Sequence, residues 1–550
     1  PFLIAVIVAF LGAILFLYIT DRMATTQAVK SVMSINTRRI VYDTYDIYLD
    51  NIGTYFSDQF VNSLSEIEYE ETKRFSFVDD IDDADIVVKQ GESEDPICSQ
   101  YLVPVGHFYW IEDSISSGNV INGDLEVLLD NETYSKFSSL LEQSNDSMNI
   151  RQVDSLLDEL KDEECNCVGL VEPNQLQKEY KLLKYDNRYY LDTFDGGIET
   201  SLVLEKKDEE IPLDFVRGIV TANVELDSSD FSKDTVAKVN MTGVTAMGRR
   251  VIEAMNDRND YDDPAEKIGA FLSDADLTHT SNEVSFVEGC SVYSGLRFCS
   301  RPEAIATLKA IGADLIELTG NHNNDFGSSN NTKTIELYKS EGMEYFGGGL
   351  NSEDASKPYI TEIDGSTIGF LGYNYFDAVV MSSTNALAGS NKAGANPYSE
   401  SKMRSDIESI RDEVDIIIVD LQFQECYSYP PGDVIYPICY KPISNQASTF
   451  RKAIDFGADI VIGTQAHQPQ TYELYEDGVI FYGLGNLFFD QSMWIGTRQG
   501  MVLTHYFKDG QLIQTKITPT IYDSSLQVEV ANEREANLLL ELLDTARKSL

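Results

Sequence analysis

From about residue 235 onward, short apolar runs alternate regularly with amphipathic segments, and this alternation constrains the fold more than any other feature. A helix predicted at 303–311 leads through Gly312 into an apolar strand at 314–318. Strands and helices that alternate in this way form parallel sheets covered by helices. We therefore predict an α/β domain over 235–525 and a C-terminal helix within 526–550. Further strands are predicted at 239–242, 343–346, 366–373, 415–421 and 459–462, and further helices at 332–340, 401–411, 446–456 and 533–548.

The preceding part of the chain has a less regular pattern. Apolar runs at 85–88 and 101–105 predict strands, and a polar-faced segment at 150–161 predicts a helix. Acidic turns separate these elements, and most such runs are simply solvated. The pattern favours a smaller α/β domain over 38–230.

The first twenty residues carry no charge, and their number matches the span of a bilayer core. A secretory signal would have a basic start, a shorter apolar run and a small-residue cleavage site. We interpret 1–20 as a transmembrane anchor and 21–37 as a stalk, with a removed signal as the alternative. Either interpretation places the bulk of the chain outside the cytoplasm, and the anchor predicts a single-pass protein of the cell membrane.

The charge balance limits the partners. The 550 residues include 90 Asp and Glu but 42 Lys and Arg, giving a formal net charge of −48. Such a surface repels phosphate backbones, which argues against nucleic-acid binding. We interpret the excess of acidic residues as a solvated, negatively charged protein surface.

Seven cysteines fit an exported protein. Cys290 and Cys299 flank one short loop, and Cys426 and Cys439 flank another, so each pair predicts a local disulfide; buried free thiols are the alternative. The other three are Cys98, Cys165 and Cys167. A zinc site at 165–167 would need a second Cys or His pair, which is not found nearby in the sequence.

Polar residues follow several predicted strands at the point where each ends. Ligand and catalytic sites of α/β sheets lie at these carboxyl ends. Taken singly, a histidine here fits ordinary packing and an Asn-rich run fits a turn. Taken together, carboxylate, amide and imidazole groups at one sheet edge suit a hard or borderline cation. The four segments are Asn282-Glu283, Asn321-His322 with Asp325, Gln465 with His467, and Asn486.

At these residues the chain is similar to the bacterial capsule-synthesis (CapA, poly-γ-glutamate synthesis) family, over about 235–525. The resemblance implies a calcineurin-like four-layer α/β/β/α sandwich of the metallophosphoesterase type. It also implies a role in the synthesis, anchoring or release of a capsule or surface polymer. The matching motifs are 242–249 (TGVTAMGR), Asn282-Glu283, 320–327 (GNHNNDFG), 346–351 (FGGGLN), 457–463 (GADIVIG), His467 and 483–486 (GLGN).

The resemblance also implies roles for individual residues. Glu283, Asn321 and His467 correspond to metal ligands, and His322 corresponds to a catalytic histidine that donates a proton or stabilises developing charge. The predicted cleft residues are Asn282, Asp325, Gln422, Gln465 and Asn486.

Three positions depart from the family pattern. Val244 stands where the family has Asp, and Gln422 and Gln465 stand where it has histidines. Valine cannot bind a cation, and neutral amides bind divalent ions more weakly than carboxylate or imidazole. The expected cofactor is therefore one divalent metal ion, of unknown identity, in place of a metal pair, with an empty site as the alternative.

Two functions are compatible with this incomplete set of metal ligands. The chain is either a metal-assisted hydrolase or transferase, or a catalytically degraded protein that binds a polymer or solute. In a third hypothesis, the N-terminal module captures a solute or polymer and the C-terminal domain is a scaffold. The expected partner is an anionic or peptide-linked surface polymer. The segments 103–108, 115–125 and 168–173 resemble periplasmic solute-binding modules, with a structural stalk domain as the alternative.

Overall fold

The computed structural model describes residues 44–69, 72–91, 93, 96–144, 147–162, 165–224, 231–292, 295–426, 435 and 437–550. The predicted anchor at 1–20 and the predicted stalk at 21–37 lie outside these residues. Across the described ranges, no helix has the length and apolar character needed to cross a bilayer. The chain divides into two units: one within Pro1–Leu102, Gly118–Leu156 and Ile198–Ser229, and another within Val103–Ser117, Leu157–Gly197 and Asp230–Leu550.

The first unit is built on a mixed sheet. Tyr45–Asp50 pairs in parallel with Phe75–Phe77 and with Ile86–Gln90. Ile198–Lys206 extends this sheet antiparallel to Ile86–Gln90 and then pairs with the start of Cys98–His107. The other elements are the strands Glu68–Tyr69, Thr72–Lys73, Glu126–Asp130 and Asn149–Val153, the helices Thr54–Leu64, Ser117–Ile121, Asn131–Ser144 and Leu213–Asn223, and the 3-10 helix Ile81–Asp83.

The helix predicted at 150–161 is wrong over its first half. Asn149–Val153 is a strand that pairs in parallel with Glu126–Asp130, and the helix is confined to Leu156–Leu160. Arg151 also forms an ion pair with Glu126, 3.0 Å apart. Because this pairing joins residues far apart in sequence, the local helical pattern could not reveal it.

The second unit starts with segments that precede the regular α/β alternation. The end of Cys98–His107 pairs antiparallel with Cys167–Val171 and with Tyr180–Leu182. Within this unit, the Gln514 side chain accepts from Leu182 N at 3.0 Å and donates to Tyr180 O at 2.9 Å. The remaining elements of these segments are the strands Ser114–Ile115 and Lys184–Tyr185, the helix Tyr190–Thr193 and the 3-10 helix Pro173–Gln175.

The larger sheet of the second unit has eight strands. Its first four strands are parallel, and the rest add an antiparallel hairpin and edge. The carboxyl ends of the parallel strands therefore meet at one edge. The strand order is Glu344–Phe346, Ala313–Glu317, Leu277–Asn282, Ala237–Thr245, Gln499–Lys508, Gln511–Tyr522 and Val528–Val530, with Asn486–Phe488 beside Ala237–Thr245.

The smaller sheet has six strands, of which the central four are parallel. The strand order is Tyr359–Ile363, Ser366–Asn374, Ile416–Gln422, Ile460–Thr464, Gly478–Leu484 and Pro469–Tyr475. The α-helices from residue 230 onward are Arg249–Arg258, Gly269–Leu272, Ile305–Ala310, Ser328–Ser340, Ser352–Ala355, Glu400–Ile410, Gln446–Asp455, Ile495–Arg498 and Glu533–Arg547. Short elements are the strands Gly348–Gly349 and Gly394–Ala395, the 3-10 helices Asp263–Ala265, Pro302–Ala304 and Pro437–Tyr440, and the π-helix Phe376–Val380.

Alternation along the strands divides the apolar side chains between separate cores. Leu315 of the larger sheet and Ile418 of the smaller sheet belong to one shared core. Their neighbours Ile316 and Val419 belong to two other cores, each of which includes helix residues. Since successive side chains of a strand point to opposite faces, each sheet has one face on the shared core and one face on helices.

The sequence-based prediction of a mixed α/β fold is confirmed, and most element positions agree within a few residues. The strand predicted at 314–318 is Ala313–Glu317, and the helix predicted at 332–340 begins four residues earlier as Ser328–Ser340. The disulfides predicted at Cys290–Cys299 and Cys426–Cys439 are present. A third disulfide joins Cys165 to Cys167, where the sequence left the pairing open.

Candidate functional site

Parallel strands of both sheets end at polar residues. Leu277–Asn282 leads directly into Glu283, and Ala313–Glu317 leads through Gly320 into Asn321 and His322. A Cβ on Gly320 would lie 2.5 Å from the Cα of Glu283, so only glycine allows these two strand ends to approach so closely. In the smaller sheet, Gln422 ends one strand and Gln465 follows the next.

Glu283 has the most unusual environment of these residues. Its side chain is buried at 1% exposure, and neither carboxylate oxygen accepts a hydrogen bond within the described part of the chain. Burial, and then the nearby negative charges of Glu425, Glu317 and Asp325, raise its pKa well above the usual value. A buried carboxylate without partners requires a proton or a cation.

Three amide side chains form a chain of hydrogen bonds beside Glu283. Gln422 Nε2 donates to Asn321 Oδ1 at 3.2 Å and to Gln465 Oε1. Gln465 Nε2 in turn donates to Glu425 Oε1 at 3.3 Å. Gln422 Oε1 is buried and accepts no hydrogen bond within the described ranges. We call Glu283, Asn321, Gln422, Gln465 and Glu425 the open cluster.

The backbone of Gln465 is held in an unfavourable conformation. Its φ of 81° lies in the left-handed region, although Gln465 is fully buried and is not a glycine. Such conformations cost on the order of 1–3 kcal/mol and concentrate at functional sites. In this conformation the Gln465 amide contacts both Gln422 and Glu425, and so connects the members of the open cluster.

His322 forms a dyad with Asp325. The distance between His322 Nδ1 and Asp325 Oδ2 is 2.7 Å, and Phe298 N donates to the same carboxylate at 2.8 Å. The His322 and Asp325 side chains are 17% and 11% exposed. A carboxylate on Nδ1 fixes the ring orientation and leaves Nε2 as the nitrogen that can exchange a proton.

His467 is fixed by Asn486. Its Nδ1 lies 2.9 Å from Asn486 Oδ1, and Asn486 Nδ2 donates to the His467 carbonyl at 3.1 Å. Burial, assisted by the charges of His322 and Arg249, lowers the pKa of His467 to about 4, although the contact with Asn486 acts in the opposite direction. His467 is therefore neutral at physiological pH, the form that can bind a cation.

Val244 and Asn282 lie close to the site but differ from the other predicted residues. Val244 is fully buried and pairs with Asn486 across neighbouring strands. Asn282 donates to Val284 O at 3.0 Å and to the Tyr338 hydroxyl. These partners direct the Asn282 amide toward the helix Ser328–Ser340.

Sequence reasoning missed an arginine at this edge. Arg249 forms an ion pair with Asp490, and its guanidinium carbon lies 4.4 and 5.3 Å from the ring centroids of Phe298 and Phe489. Arg249 was visible only as the end of the motif at 242–249. Its partner Asp490 is 241 residues away, so no local pattern connects the two.

A second group of buried titratable side chains lies along the strands that lead to the site. His279, Glu317 and Asp420 are all fully buried, and His279 Nε2 lies 3.0 Å from Asp420 Oδ2. Burial and the charge of Asp420 raise the pKa of Glu317 to about 8. Asp420 lies two residues before Gln422, on the same face of its strand.

The donor chemistry of the open cluster fits one hard cation. The two Glu283 oxygens and Gln422 Oε1 are buried acceptors without hydrogen-bond partners among the described residues, and oxygen ligands suit hard divalent ions. Of the two carboxylates in the cluster, Glu425 accepts a hydrogen bond from Gln465 Nε2 at 3.3 Å, so Glu283 is the carboxylate left to a cation, and one such group does not fit a metal pair. Within the same ranges, no group of three or more His, Cys, Asp or Glu residues is arranged to hold a metal ion. Binding would therefore depend on amide oxygens as well as Glu283.

Comparison with known proteins adds independent information about residues 238–491. They match the family model described as bacterial capsule synthesis protein PGA_cap. The capsule biosynthesis protein CapA of Bacillus anthracis is 24% identical over 321 residues, covering 56% of this chain and 74% of that protein. The PGA biosynthesis protein CapA of Bacillus subtilis (strain 168) is 26% identical over 218 residues, covering 40% of this chain and 53% of that protein. The second match thus spans about half of the relative.

Solved structures are more distant. A hypothetical protein from Thermus thermophilus is 14% identical with a TM-score of 0.29, covering 52% of this chain and 98% of that chain. An ABC-type phosphate transport receptor from Vibrio cholerae is 12% identical with a TM-score of 0.24, covering 32% of this chain and 93% of that chain.

Proposed function

Since residues 238–491 belong to the bacterial capsule synthesis protein PGA_cap family, we propose that this chain acts on a poly-γ-glutamate-type capsule or surface polymer, as a metal-assisted hydrolase or transferase. The observation that carries the proposal is the buried Glu283 carboxylate, whose two oxygens have no hydrogen-bond partner in the described part of the chain. A group in this state is costly to the fold unless a ligand uses it. The relatives named for capsule and PGA biosynthesis supply the class of polymer.

The fold proposed for this domain is the calcineurin-like four-layer α/β/β/α sandwich. Two sheets share one apolar core, and each has helices on its other face, which is the layering that such a sandwich requires. The carboxyl ends of the parallel strands in both sheets carry the residues of the open cluster. This arrangement is consistent with a site formed where the two sheets end side by side.

We assign the cation to Glu283, Asn321 and the amide oxygen of Gln422, with His467 as the nitrogen ligand. When bound, a divalent ion supplies Lewis acidity toward a substrate oxygen. His322 is the proposed proton donor, because Asp325 orients its Nδ1 and leaves Nε2 to exchange a proton with the leaving group. Gln465 and Asn486 hold Gln422 and His467 in place through the hydrogen bonds described above.

Elemental analysis combined with a γ-glutamyl hydrolysis assay tests this assignment. Purified wild-type protein should contain about one divalent ion per chain and should cleave γ-linked glutamate oligomers. His467→Ala should lower the metal content, and Val244→Asp should raise it, because a carboxylate would join the site. His107→Ala, which changes a histidine outside the site, is the control. Wild-type and Val244→Asp proteins that both lack metal and hydrolysis would contradict the enzymatic function.

A second function is favoured by a specific observation. The open cluster has amides at Gln422 and Gln465 that hydrogen-bond to each other, and such groups can bind the amides and hydroxyls of a polymer without catalysing its cleavage. The alternative is therefore a catalytically degraded polymer-binding or solute-binding protein. Binding of γ-linked glutamate oligomers without cleavage, in the absence of metal, would favour it.

The uncharged segment 1–20 supports a proposal about cellular location. We propose a single-pass membrane protein with its bulk outside the cytoplasm. Deletion of 1–20 should release the protein from membranes. Persistent sedimentation of the truncated protein with membranes after a salt wash would contradict a single N-terminal anchor.

A further inference from the structure

We propose that Arg249 binds an oxyanion of the substrate, and that this oxyanion is the α-carboxylate of a γ-linked glutamate chain. The inference rests on the proposed function for the identity of the polymer. It goes beyond that function because it assigns the recognition of the substrate's negative charge to a residue outside the open cluster.

Arg249 shares its aromatic neighbours with both histidines of the site. Phe298 lies 4.4 Å from the guanidinium carbon of Arg249, and its ring centroid lies 4.2 Å from that of His322. Phe489 is 5.3 Å from the same guanidinium carbon and stacks on His467 at 5.0 Å. The guanidinium is therefore next to the group proposed to transfer a proton and next to the imidazole proposed to bind the cation.

The orientation of Arg249 is fixed, but its hydrogen-bonding capacity is not exhausted. Its Nη2 donates to Asp490 Oδ1, while the other Asp490 oxygen accepts from Arg250 N at 3.4 Å. The Asp490 side chain is only 6% exposed, whereas that of Arg249 is 20% exposed. A guanidinium has five N–H donors, and within the described residues the others on Arg249 make no hydrogen bond. These donors are the ones offered to a ligand.

The surrounding backbone keeps the arginine in this position. Arg249 has a φ of 44°, in the left-handed region that is unfavourable for residues with a Cβ. The preceding Gly248 lies against the disulfide loop, because a Cβ there would be 3.0 Å from the Cys299 carbonyl oxygen. The Cys290–Cys299 disulfide thus holds Phe298 beside Arg249.

The charge distribution assigns an anion to this side of the site. The Arg249 guanidinium pairs with Asp490, and the Arg250 guanidinium, which donates to Ser492 Oγ at 3.3 Å, adds a second positive charge two residues along from Asp490, in a chain whose formal net charge is −48. On the other side, Glu283 and Glu425 of the open cluster repel anions. A γ-glutamate residue carries an α-carboxylate next to its amide linkage. The carboxylate on Arg249 would leave the amide to face the open cluster and His322.

Isothermal titration calorimetry of the full chain with a γ-linked glutamate hexamer tests the inference. Inorganic phosphate, and a hexamer whose α-carboxylates are amidated, serve as comparison ligands. The variants are Arg249→Gln, Arg249→Lys and the double variant Arg249→Gln/Asp490→Asn, which avoids leaving Asp490 unpaired. Arg404→Gln is the matched control, because Arg404 also stacks on a phenylalanine, Phe456, at 4.1 Å, but outside the site.

Wild-type protein should bind the hexamer more tightly than its amidated form. Arg249→Gln and the double variant should weaken hexamer binding by about 10-fold or more, as expected for loss of a charge-assisted hydrogen bond, and Arg249→Lys should recover part of the loss. Arg404→Gln should bind like wild type. Hexamer binding that is unchanged in both the single and the double variant would overturn the inference and leave the proposed function intact.

The titration with inorganic phosphate distinguishes the proposed oxyanion site at Arg249 from the proposed function of the chain. Phosphate binding that depends on Arg249, with no binding of the hexamer, would keep the oxyanion site and overturn its γ-glutamate ligand together with the proposed function. Wild-type protein that binds neither ligand would overturn the inference outright. Equal binding of the hexamer and its amidated form would also overturn it.

Discussion

Two buried polar clusters of the second unit differ in one respect: whether their side chains satisfy each other. The first consists of Gln446, Gln470, Arg451, Glu473 and Tyr482, and we call it the paired cluster. In it, Gln446 Nε2 donates to Gln470 Oε1 at 2.8 Å and to Tyr482 O at 2.7 Å. Arg451 binds both oxygens of Glu473 at 2.8 and 2.7 Å. In the open cluster, Glu283 and the carbonyl oxygen of Gln422 remain without such partners among the described residues.

The difference separates structure from function within one fold. The paired cluster joins the helix Gln446–Asp455 to the strand Pro469–Tyr475 and contributes to stability through satisfied hydrogen bonds. The open cluster has hydrogen bonds among its amides, but its Glu283 carboxylate is desolvated without compensation. We infer that its arrangement is kept for a ligand.

The largest effect is expected on turnover. His322→Ala should lower the rate of γ-glutamyl hydrolysis by roughly 10²–10⁴, the usual contribution of one positioned acid or base. The free energy of unfolding should change little, because the side chain is partly exposed and its main partner is Asp325. Steady-state kinetics and urea unfolding of the same preparation measure both. If the loss of stability accounted for the loss of activity, His322 would have a structural role, like the residues of the paired cluster, and the prediction would be wrong.

The next effect compares two buried glutamates. Glu473→Ala should lower the free energy of unfolding by about 2–4 kcal/mol, because it leaves Arg451 and the Tyr482 hydroxyl without their acceptor. Glu283→Gln should leave the metal-free protein as stable as wild type or more so, since the amide imitates the protonated carboxyl. Denaturant unfolding in the presence of a chelator makes the comparison. A large destabilisation by Glu283→Gln would remove the distinction between the clusters.

A smaller, pH-dependent effect is expected at Glu317, which faces Asp420 near His279 and Glu283. Burial and Asp420 raise the pKa of Glu317 to about 8 in the folded protein, so this residue's favourable contribution is present below its usual pKa and is lost as the pH rises toward 8. Glu317→Gln should therefore stabilise the protein relative to wild type more strongly at pH 8 than at pH 5. The difference between the two pH values should be about 1–3 kcal/mol. Thermal unfolding at the two pH values provides the measurement. An identical pH dependence in both proteins would contradict this account.

The fold could be predicted from sequence because the β-α-β alternation is local. The strand at Ala313–Glu317 and the helix at Gln446–Asp455 were recognisable from apolar runs and their glycine boundaries. The strand Asn149–Val153 was not, because its parallel partner Glu126–Asp130 supplies the interaction that determines its conformation.

The site was predictable only in part, for the same reason. Glu283, Asn321, His322 and His467 follow strands in the sequence, so their position at the sheet edge followed from the pattern. The hydrogen bonds of Gln422 to Asn321 and Gln465, and the pairing of Arg249 with Asp490, join residues 101, 43 and 241 positions apart. No periodicity encodes contacts of this kind.

The central claim is that Glu283 remains unpaired in order to hold a cation, and metal-dependent unfolding tests it most directly. Wild-type protein and Glu283→Gln would be unfolded thermally after removal of divalent ions and again after titration with Mg²⁺, Mn²⁺ or Zn²⁺. Ligand binding to the folded state stabilises it by RT ln(1 + [L]/Kd), about 2.7 kcal/mol at a hundredfold excess over Kd. The account predicts a rise in the unfolding temperature of wild type with at least one of these ions and no rise in Glu283→Gln. Equal shifts in both proteins, or no shift in either, would contradict it.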